Sequence, residues 1–264
     1  MRLPLLTSLF CLCLAAPALT APCGNTAAGF TAWKKDFARD ARRAGVKTPG
    51  LQALQTAQYA SRTIAADRNQ KSFRYTLEKF MEIRGSTTII AQGRKRKARN
   101  AGFYAALERK YGVPAGVLIA IHGMETAFGH FMGDSQIVPA ITTLAYDCRR
   151  SDFFLPHAIG ALKLVDQGAI TPATRGAKHG ELGHTQFLPG NALQYGVDWG
   201  GDGRVDFYDM ADALASTANY LRKKGWKAGK GYQPGEPNYA VLKQWNAASV
   251  YQQSLAIMGA GIDR

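Results

Sequence analysis

The chain has 264 residues, of which 46% are hydrophobic and 20% charged, and its formal net charge is +14 at pH 7. This composition is that of an ordinary globular protein, so a largely disordered chain is excluded, and the length suffices for one substantial hydrophobic core. The strong basic excess predicts an anionic partner.

The N-terminal residues 1–21 have the layout of a secretory signal peptide. Arg2 provides the positively charged n-region, residues 3–16 form a mostly apolar h-region, and small residues predominate at 18–21. An uncleaved membrane anchor is the alternative interpretation, although the apolar stretch is short for a bilayer span. No later segment is long and apolar enough to cross a membrane. We therefore expect an exported periplasmic or cell-envelope protein, with residues 22–264 as its mature domain and no transmembrane segment after cleavage.

Export narrows the choice of anionic partner. Nucleic acid, the first candidate inside a cell, is not expected outside the cytoplasm, which leaves lipid headgroups and the carboxylate-bearing cell wall. Residues 93–100 form a dense basic run that could bind a polyanion. Such a run is more often a solvated helix face or turn. It contains no interleaved aromatic side chain, which disfavours single-stranded nucleic acid.

The four cysteines divide into two pairs. Cys11 and Cys13 lie in the predicted signal peptide, whereas Cys23 and Cys148 remain in the mature chain. Two cysteines in an exported protein predict one disulfide. Neither has a neighbouring Cys or His at a spacing typical of zinc ligands.

Residues 28–110 are rich in helix formers and contain two amphipathic stretches. The apolar positions of the first recur at helical spacing: Phe30, Trp33, Phe37 and Ala41. Those of the second follow the same pattern: Phe73, Leu77, Phe80 and Met81. Both stretches are predicted to be helices with one apolar face.

The middle of the chain carries an apolar helix that ends in an acid. Pro114 suits a first helical position, and residues 115–121 are apolar all round, which predicts a buried helix. Glu125 follows at its end. Burial of a carboxylate at this position costs free energy, so we expect it to have either a function or a charged partner. A salt bridge to one of the many arginines is the structural alternative.

The second half changes character. Residues 168–203 are dense in glycine, which predicts loops and turns. Residues 209–224 then read as a helix, with Asp209 as its N-cap and Gly225 after its end. We find no internal repeat and no alternation of strands with crossover helices. The predicted class is therefore mainly α (α+β), with a small irregular or β portion.

Residues 198–209 have the spacing of a twelve-residue calcium loop. The predicted ligands are Asp198, Asp202, Arg204 through its carbonyl, Asp206 and Asp209, with Gly203 at the turn position. Gly200 offers no ligand at the third position, and an aspartate replaces the usual closing glutamate. We therefore expect a weak structural calcium site. The alternative is a metal-free turn braced by the aspartates, with Asp209 serving only as the helix cap.

Several blocks of the chain resemble the lytic murein transglycosylase B family. Residues 123–129, Gly-Met-Glu-Thr-Ala-Phe-Gly, are similar to the family's Gly-x-Glu-Thr-x-(Phe/Trp)-Gly signature. Its later blocks are matched in the same order by residues 145–154, 180–189, 198–209 and 218–226. Linked blocks are far more specific than one motif, and the resemblance covers roughly residues 25–260.

The resemblance implies a lysozyme-like fold and a peptidoglycan substrate. Family members cleave between N-acetylmuramic acid and N-acetylglucosamine without adding water, since the muramic acid's own 6-hydroxyl attacks and leaves a 1,6-anhydro end. Carried over by position, Glu125 is the single acid/base. The implied substrate-site residues are Gln186, Tyr220, Trp245, Asn246 and Tyr251. The expected partner is the peptidoglycan glycan strand, the expected state a monomer, and no cofactor is required for the chemistry.

The chemistry explains the residue types, although structural alternatives exist for some of them. An acid near neutral pH needs a raised pKa, which burial at the end of an apolar helix would give Glu125. Gln186 could instead brace its loop, and Trp245 could be a core residue. His122 and His184 flank the motif positions, and structural roles are expected for both, because no Ser or Cys nucleophile partners them.

The chain departs from the family at four positions, and two other functions stay open. The departures are Ala177 for a serine, Glu181 for an alanine, Trp245 for a tyrosine, and Gly200 in the metal loop. One alternative is a goose-type hydrolase on the same fold, with Glu181 or Asp134 positioning water. The other is a non-catalytic wall-binding module, which the loss of the serine at position 177 would favour.

Overall fold

The structure is a computed structural model that describes residues 21–69 and 75–264. The predicted signal peptide, apart from its last residue, lies outside the described residues, and so does Phe73, one of the predicted helical positions. Within the described ranges, no helix combines the length and apolar character needed to cross a bilayer.

The described residues form thirteen α-helices, one short 3-10 helix and one small sheet. The first helices are α1 Phe30–Arg43, α2 Thr48–Thr56, α3 Ser61–Arg68, α4 Leu77–Ile83, α5 Ser86–Arg99 and α6 Ala101–Tyr111. The later ones are α7 Ala115–Thr126, α8 Ile137–Tyr146, α9 Ser151–Asp166, α10 Pro189–Tyr195, α11 Met210–Lys223, α12 Tyr239–Trp245 and α13 Ser249–Asp263. The 3-10 helix spans Ala27–Gly29, and the antiparallel strands are β1 Ser135–Gln136 and β2 Arg175–Gly176. The predicted class, mainly α with a small β portion, is confirmed.

Helix α7 lies at the centre of the domain. Every residue of α7 is buried, as its apolar sequence predicts, except Glu125, which is half-buried. The helix packs against α5, α6, α11 and α13. A Cβ at Gly116 would lie 2.2 Å from the carbonyl oxygen of Gly259, so the absence of a side chain there lets α7 and α13 approach closely. The C-terminal end of α7 carries Glu125, which lines a cleft.

The N-terminal helix covers one side of this core with its predicted apolar face. Phe30, Trp33, Phe37 and Ala41 of α1 are all buried. The rings of Phe30 and Trp33 also contact Tyr146 at the end of α8, with centroids 5.5 and 5.6 Å away. Aromatic groups in such contacts bury large apolar areas and favour edge or offset geometry. The predicted face of α1 is confirmed.

A disulfide joins the N-terminal segment to the residues that follow α8, and an ion-pair cluster joins α3 to the same residues. Cys23 and Cys148 are bonded, with their Cα atoms 5.0 Å apart. Nearby, the buried carboxylate of Asp67 accepts hydrogen bonds from both Arg149 and Arg150. Burial alone would raise the pKa of Asp67, but the two guanidinium groups outweigh it and hold that pKa below its usual value.

The basic residues of the run at positions 93–100 lie in the C-terminal half of α5, where most of them are exposed and two contact α13. Arg94 donates to the carbonyl of Gly261 at 2.8 Å, and Lys97 donates to the carboxylate of Asp263 at 2.7 Å. Both cations lie at the C-terminal end of α13, where positive charge is favourable. Because most of the basic residues are exposed on α5, the structure supports the interpretation of the run as a solvated helix face.

Candidate active site

A cleft of about 500 Å³ opens beside the C-terminal end of α7. Its lining includes all six residues predicted for the catalytic and substrate sites: Glu125, Gln186, Tyr220, Trp245, Asn246 and Tyr251. They come from α7, the loop before α10, α11, the last residue of α12, the segment after it, and α13. The fold thus brings together side chains separated by up to 126 positions in sequence.

Glu125 is held in place by two donors on the same oxygen. The hydroxyl of Tyr251 donates to Oε1 at 2.6 Å, and the indole Nε1 of Trp245 donates to Oε1 at 3.2 Å. An indole N–H has no acceptor capacity. Burial and the neighbouring carboxylate raise the pKa of Tyr251 well above its usual value, so its hydroxyl keeps its proton. When Glu125 is neutral, its acid proton therefore belongs on Oε2.

The surroundings of Glu125 favour its neutral form. Burial raises the pKa of Glu125 above its ordinary value, and the negative charge of Glu181 acts in the same direction. The hydrogen bond from Tyr251, the positive charge of Arg84 and the hydrogen bond from Trp245 oppose this rise without cancelling it. A carboxyl group with a raised pKa can donate a proton near neutral pH.

The threonine of the signature orders the turn that follows Glu125. Its hydroxyl, Oγ1 of Thr126, donates to the carbonyl of His184 at 2.7 Å and accepts from the amide of Gly129 at 2.9 Å. Ala127 and Phe128 have φ values of 47° and 62°, a left-handed conformation that costs energy in non-glycine residues. The Thr126 contacts and the guanidinium of Arg96, 4.1 Å from the Phe128 ring centroid, stabilise this turn.

His122, which is buried, and His184, which is half-buried, form a hydrogen-bonded chain behind the C-terminal end of α7. The Nε2 atom of His184 faces the carbonyl of Tyr208 at 3.1 Å and must carry a proton there, so its Nδ1 accepts from Nε2 of His122 at 2.9 Å. Burial, together with the positive charge of Arg96, lowers the pKa of His122 to about 3, and burial also lowers the pKa of His184. Both imidazole rings are therefore neutral, and their hydrogen bonds are consistent with the structural roles that the sequence predicts.

Residues 29–235 match the Transglycosylase SLT domain family. The chain belongs to this family. Over 159 residues it is 35% identical to the membrane-bound lytic murein transglycosylase B of Escherichia coli strain K12, an alignment that covers 55% of this chain. The match spans only 44% of the length of that curated relative.

Solved structures of transglycosylases have the same fold. SltB3 from Pseudomonas aeruginosa, in complex with NAG-anhNAM-pentapeptide, superposes with a TM-score of 0.79 at 26% identity and covers 89% of this chain and 79% of that one. The Escherichia coli lytic transglycosylase Slt35, in complex with calcium, gives a TM-score of 0.77 at 20% identity, covering 92% and 96%. The predicted lysozyme-like transglycosylase fold is confirmed.

Three of the predicted family positions have hydrogen bonds that brace the cleft walls. Nε2 of Gln186 donates to the carbonyl of Gly183 at 2.7 Å, and the backbone of Gln186 is left-handed with φ of 55°. The hydroxyl of Tyr220 donates to the carbonyl of Gln244 at 2.5 Å, and Oδ1 of Asn246 accepts from the amide of Ala248. Gln186 therefore acts as the loop brace considered above while also lining the cleft.

Trp245 is a cleft residue with a polar role. Its indole contacts the rings of Phe187 and Tyr220 with centroids 5.3 and 5.5 Å away, and its Nε1 reaches Glu125. Trp245 thus packs against the core, as the structural alternative predicts, and its indole N–H also donates to Glu125. The replacement of the family's tyrosine by tryptophan keeps a hydrogen-bond donor at this position.

The other departures differ in where they lie. Ala177 and Glu181 both line the cleft. Asp134, the second candidate for positioning water, is not part of the cleft lining and pairs with Arg62 at 3.1 Å on the surface. Of the two acids named for the hydrolase alternative, only Glu181 therefore lies in the cleft. Sequence reasoning missed Arg84 and His179, which also line the cleft, because neither belongs to a recognisable motif.

The aspartate-rich loop is held by its own backbone. The carboxylate of Asp198 accepts from the amides of Gly201, Asp202 and Gly203, and that of Asp209 caps α11. Among residues 21–69 and 75–264, no three His, Cys, Asp or Glu side chains converge to hold a metal ion. As placed here, the predicted calcium ligands do not form a coordination shell. The N-cap prediction for Asp209 is confirmed, while the calcium prediction stays a prediction.

Proposed function

We propose that this protein is a peptidoglycan lytic transglycosylase that cleaves the MurNAc–GlcNAc bond and leaves a 1,6-anhydro-MurNAc end. The observation that carries the proposal is Glu125, whose raised pKa and doubly anchored Oε1 leave Oε2 as the proton donor in a cleft. Two further findings support it: the family of the chain, and the anhydro-sugar peptide bound by its relative SltB3.

The reaction needs one carboxyl group and no added water. Oε2 of Glu125 gives its proton to the glycosidic oxygen while the bond from that oxygen to the anomeric carbon of MurNAc breaks. The 6-hydroxyl oxygen of the same sugar then bonds to the anomeric carbon, and its proton passes to Oε2. Glu125 is restored to its neutral form, and no atoms are gained or lost. Most glycosidases need a second carboxylate because they must activate water or form a covalent intermediate.

The remaining cleft residues position the substrate in this proposal. Tyr220 and Trp245 provide aromatic surface for sugar rings, and Gln186 and Asn246 provide amide groups. The net charge of +14 suits a polymer that bears carboxylates. No cofactor takes part in the chemistry, and we propose a monomer that works in the periplasm or cell envelope.

The product spectrum tests the proposal. Purified sacculi digested by the protein are analysed by mass spectrometry, and transglycosylation yields muropeptides one water lighter than those of hydrolysis. Anhydro products support the proposal. Products that carry the added water would contradict it, and binding to sacculi without any cleavage in zymography would favour the non-catalytic wall-binding module.

Hydrolysis is a second candidate because Glu181 lies in the same cleft as Glu125. If Glu181 activates water, the wild type releases water-added products that disappear in Glu181→Ala. We expect instead that wild type and Glu181→Ala both release anhydro products, with Glu181→Gln as the control that keeps the side-chain volume. Loss of water-added products on substitution of Glu181 would replace the transglycosylase by the hydrolase.

A weak calcium site in residues 198–209 is a separate proposal, based on the ligand spacing. At about 5 mM calcium, a site with a dissociation constant of about 0.1–1 mM stabilises the folded protein by about 1–2 kcal/mol. Thermal unfolding with calcium against chelator measures this, and the shift should vanish in Asp202→Ala. Equal melting temperatures with and without calcium would leave the loop as the metal-free turn described above.

A further inference from the structure

Arg84 lies in the turn between α4 and α5 and reaches the cleft beside Glu125. Its guanidinium carbon is 5.2 Å from the centroid of the Phe80 ring, and its Nη1 donates to the carbonyl of Met124 at 3.3 Å. Within the described residues, no carboxylate lies at ion-pair distance from Arg84. Arg84 thus brings an unpaired positive charge to the cleft, fixed by an aromatic ring and a backbone carbonyl.

The carbonyl that Arg84 contacts belongs to the last turn of α7, which also carries Glu125. The C-terminal end of a helix bears partial negative charge, so it disfavours a carboxylate. A cation bound to the carbonyl of Met124 offsets that field at the next residue. It also fixes the end of the helix from which the catalytic side chain extends.

We propose that Arg84 is a positioning residue for Glu125, which holds the end of α7 and stabilises the carboxylate that Glu125 becomes after it donates its proton. The proposal rests on the function proposed above. It assigns the turn between α4 and α5, which matches none of the motif blocks, to the catalytic apparatus.

The charged groups around Glu125 determine the direction in which its pKa moves when the charge of Arg84 is removed. Tyr251 and Trp245 donate to it from α13 and α12, Glu181 adds negative charge from the loop opposite, and Arg84 adds positive charge. Arg150 and His179 also line the cleft, but their charges are not among the causes that shift the pKa of Glu125. Removal of the Arg84 charge raises the pKa of Glu125, because the carboxylate loses its stabilising cation.

The test compares pH profiles of kcat/KM and kcat on sacculi for wild type, Arg84→Gln and Arg84→Lys. In Arg84→Gln we expect the alkaline limb to move up by roughly 0.5–1 pH unit and kcat at the optimum to fall by up to about tenfold. Arg84→Lys keeps the charge and should restore the position of the limb. Arg99→Gln, at the exposed end of α5, removes the same charge elsewhere and should leave the profile unchanged.

A direct readout separates this proposal from the proposed function. Carbon-13 NMR titration of the Glu125 carboxyl requires no substrate, and Arg84→Gln should raise its pKa relative to wild type and to Arg99→Gln. An unchanged Glu125 titration in Arg84→Gln would overturn the proposal, as would an equal shift in Arg99→Gln. If the muropeptides carry added water, the proposed function fails, while the titration still decides whether Arg84 acts on Glu125.

Discussion

Glu125→Gln should lose lytic activity by about 10²–10⁴-fold, because the amide cannot donate an acidic proton to the leaving oxygen. Glutamine has nearly the same shape, and its Oε1 can still accept from Tyr251 and Trp245 as the carboxyl does. The cleft geometry should therefore persist. Release of muropeptides from purified sacculi, measured for wild type and variant, gives the size of the loss.

Two controls separate a catalytic effect from a structural one. Circular dichroism of Glu125→Gln should match that of the wild type, and its melting temperature should be equal or higher, because a desolvated acid has been removed. Glu78→Gln, on the exposed face of α4, removes one carboxyl group away from the cleft and should keep full activity. A folded Glu125→Gln protein with wild-type turnover would refute the single-acid mechanism.

Loss of the disulfide should destabilise the fold by about 4 kcal/mol. The bond joins Cys23 to Cys148 across 125 positions, and closing so long a loop removes much conformational entropy from the unfolded chain. The bond also holds two segments of backbone together. The amide of Gly24 donates to the carbonyl of Tyr146 at 2.9 Å, and the carbonyl of Gly24 accepts from the amide of Cys148 at 3.3 Å. Denaturant unfolding of Cys23→Ser against wild type measures the loss.

The pairing itself has a direct test. The double variant Cys23→Ser/Cys148→Ser should be destabilised as much as Cys23→Ser, because either change removes the same bond. Treatment of the wild type with a reductant should shift its unfolding midpoint towards that of the variants. Two free thiols per mature chain in denatured, unreduced protein would show that the bond does not form.

The sequence alone determined the features that depend on local pattern. The apolar spacing of Phe30, Trp33 and Phe37 predicted the buried face of α1, and the uninterrupted apolar run predicted that α7 is buried. Periodicity suffices there, because a helix places every third or fourth side chain on one face. The family resemblance likewise identified Glu125 and the five predicted substrate-site residues of the cleft, since linked blocks in fixed order carry much information.

Only the tertiary structure decided which atoms meet at Glu125. The Nε1 of Trp245 comes from 120 positions away, and Arg84 reaches the end of α7 from a turn with no motif. The tertiary structure also shows that Asp134 lies outside the cleft and Glu181 within it. Hydrogen bonding and charge depend on distances of a few ångströms between groups on different elements. No local pattern encodes those distances, because they arise only when the packed helices fix the ends of α7, α12 and α13 together.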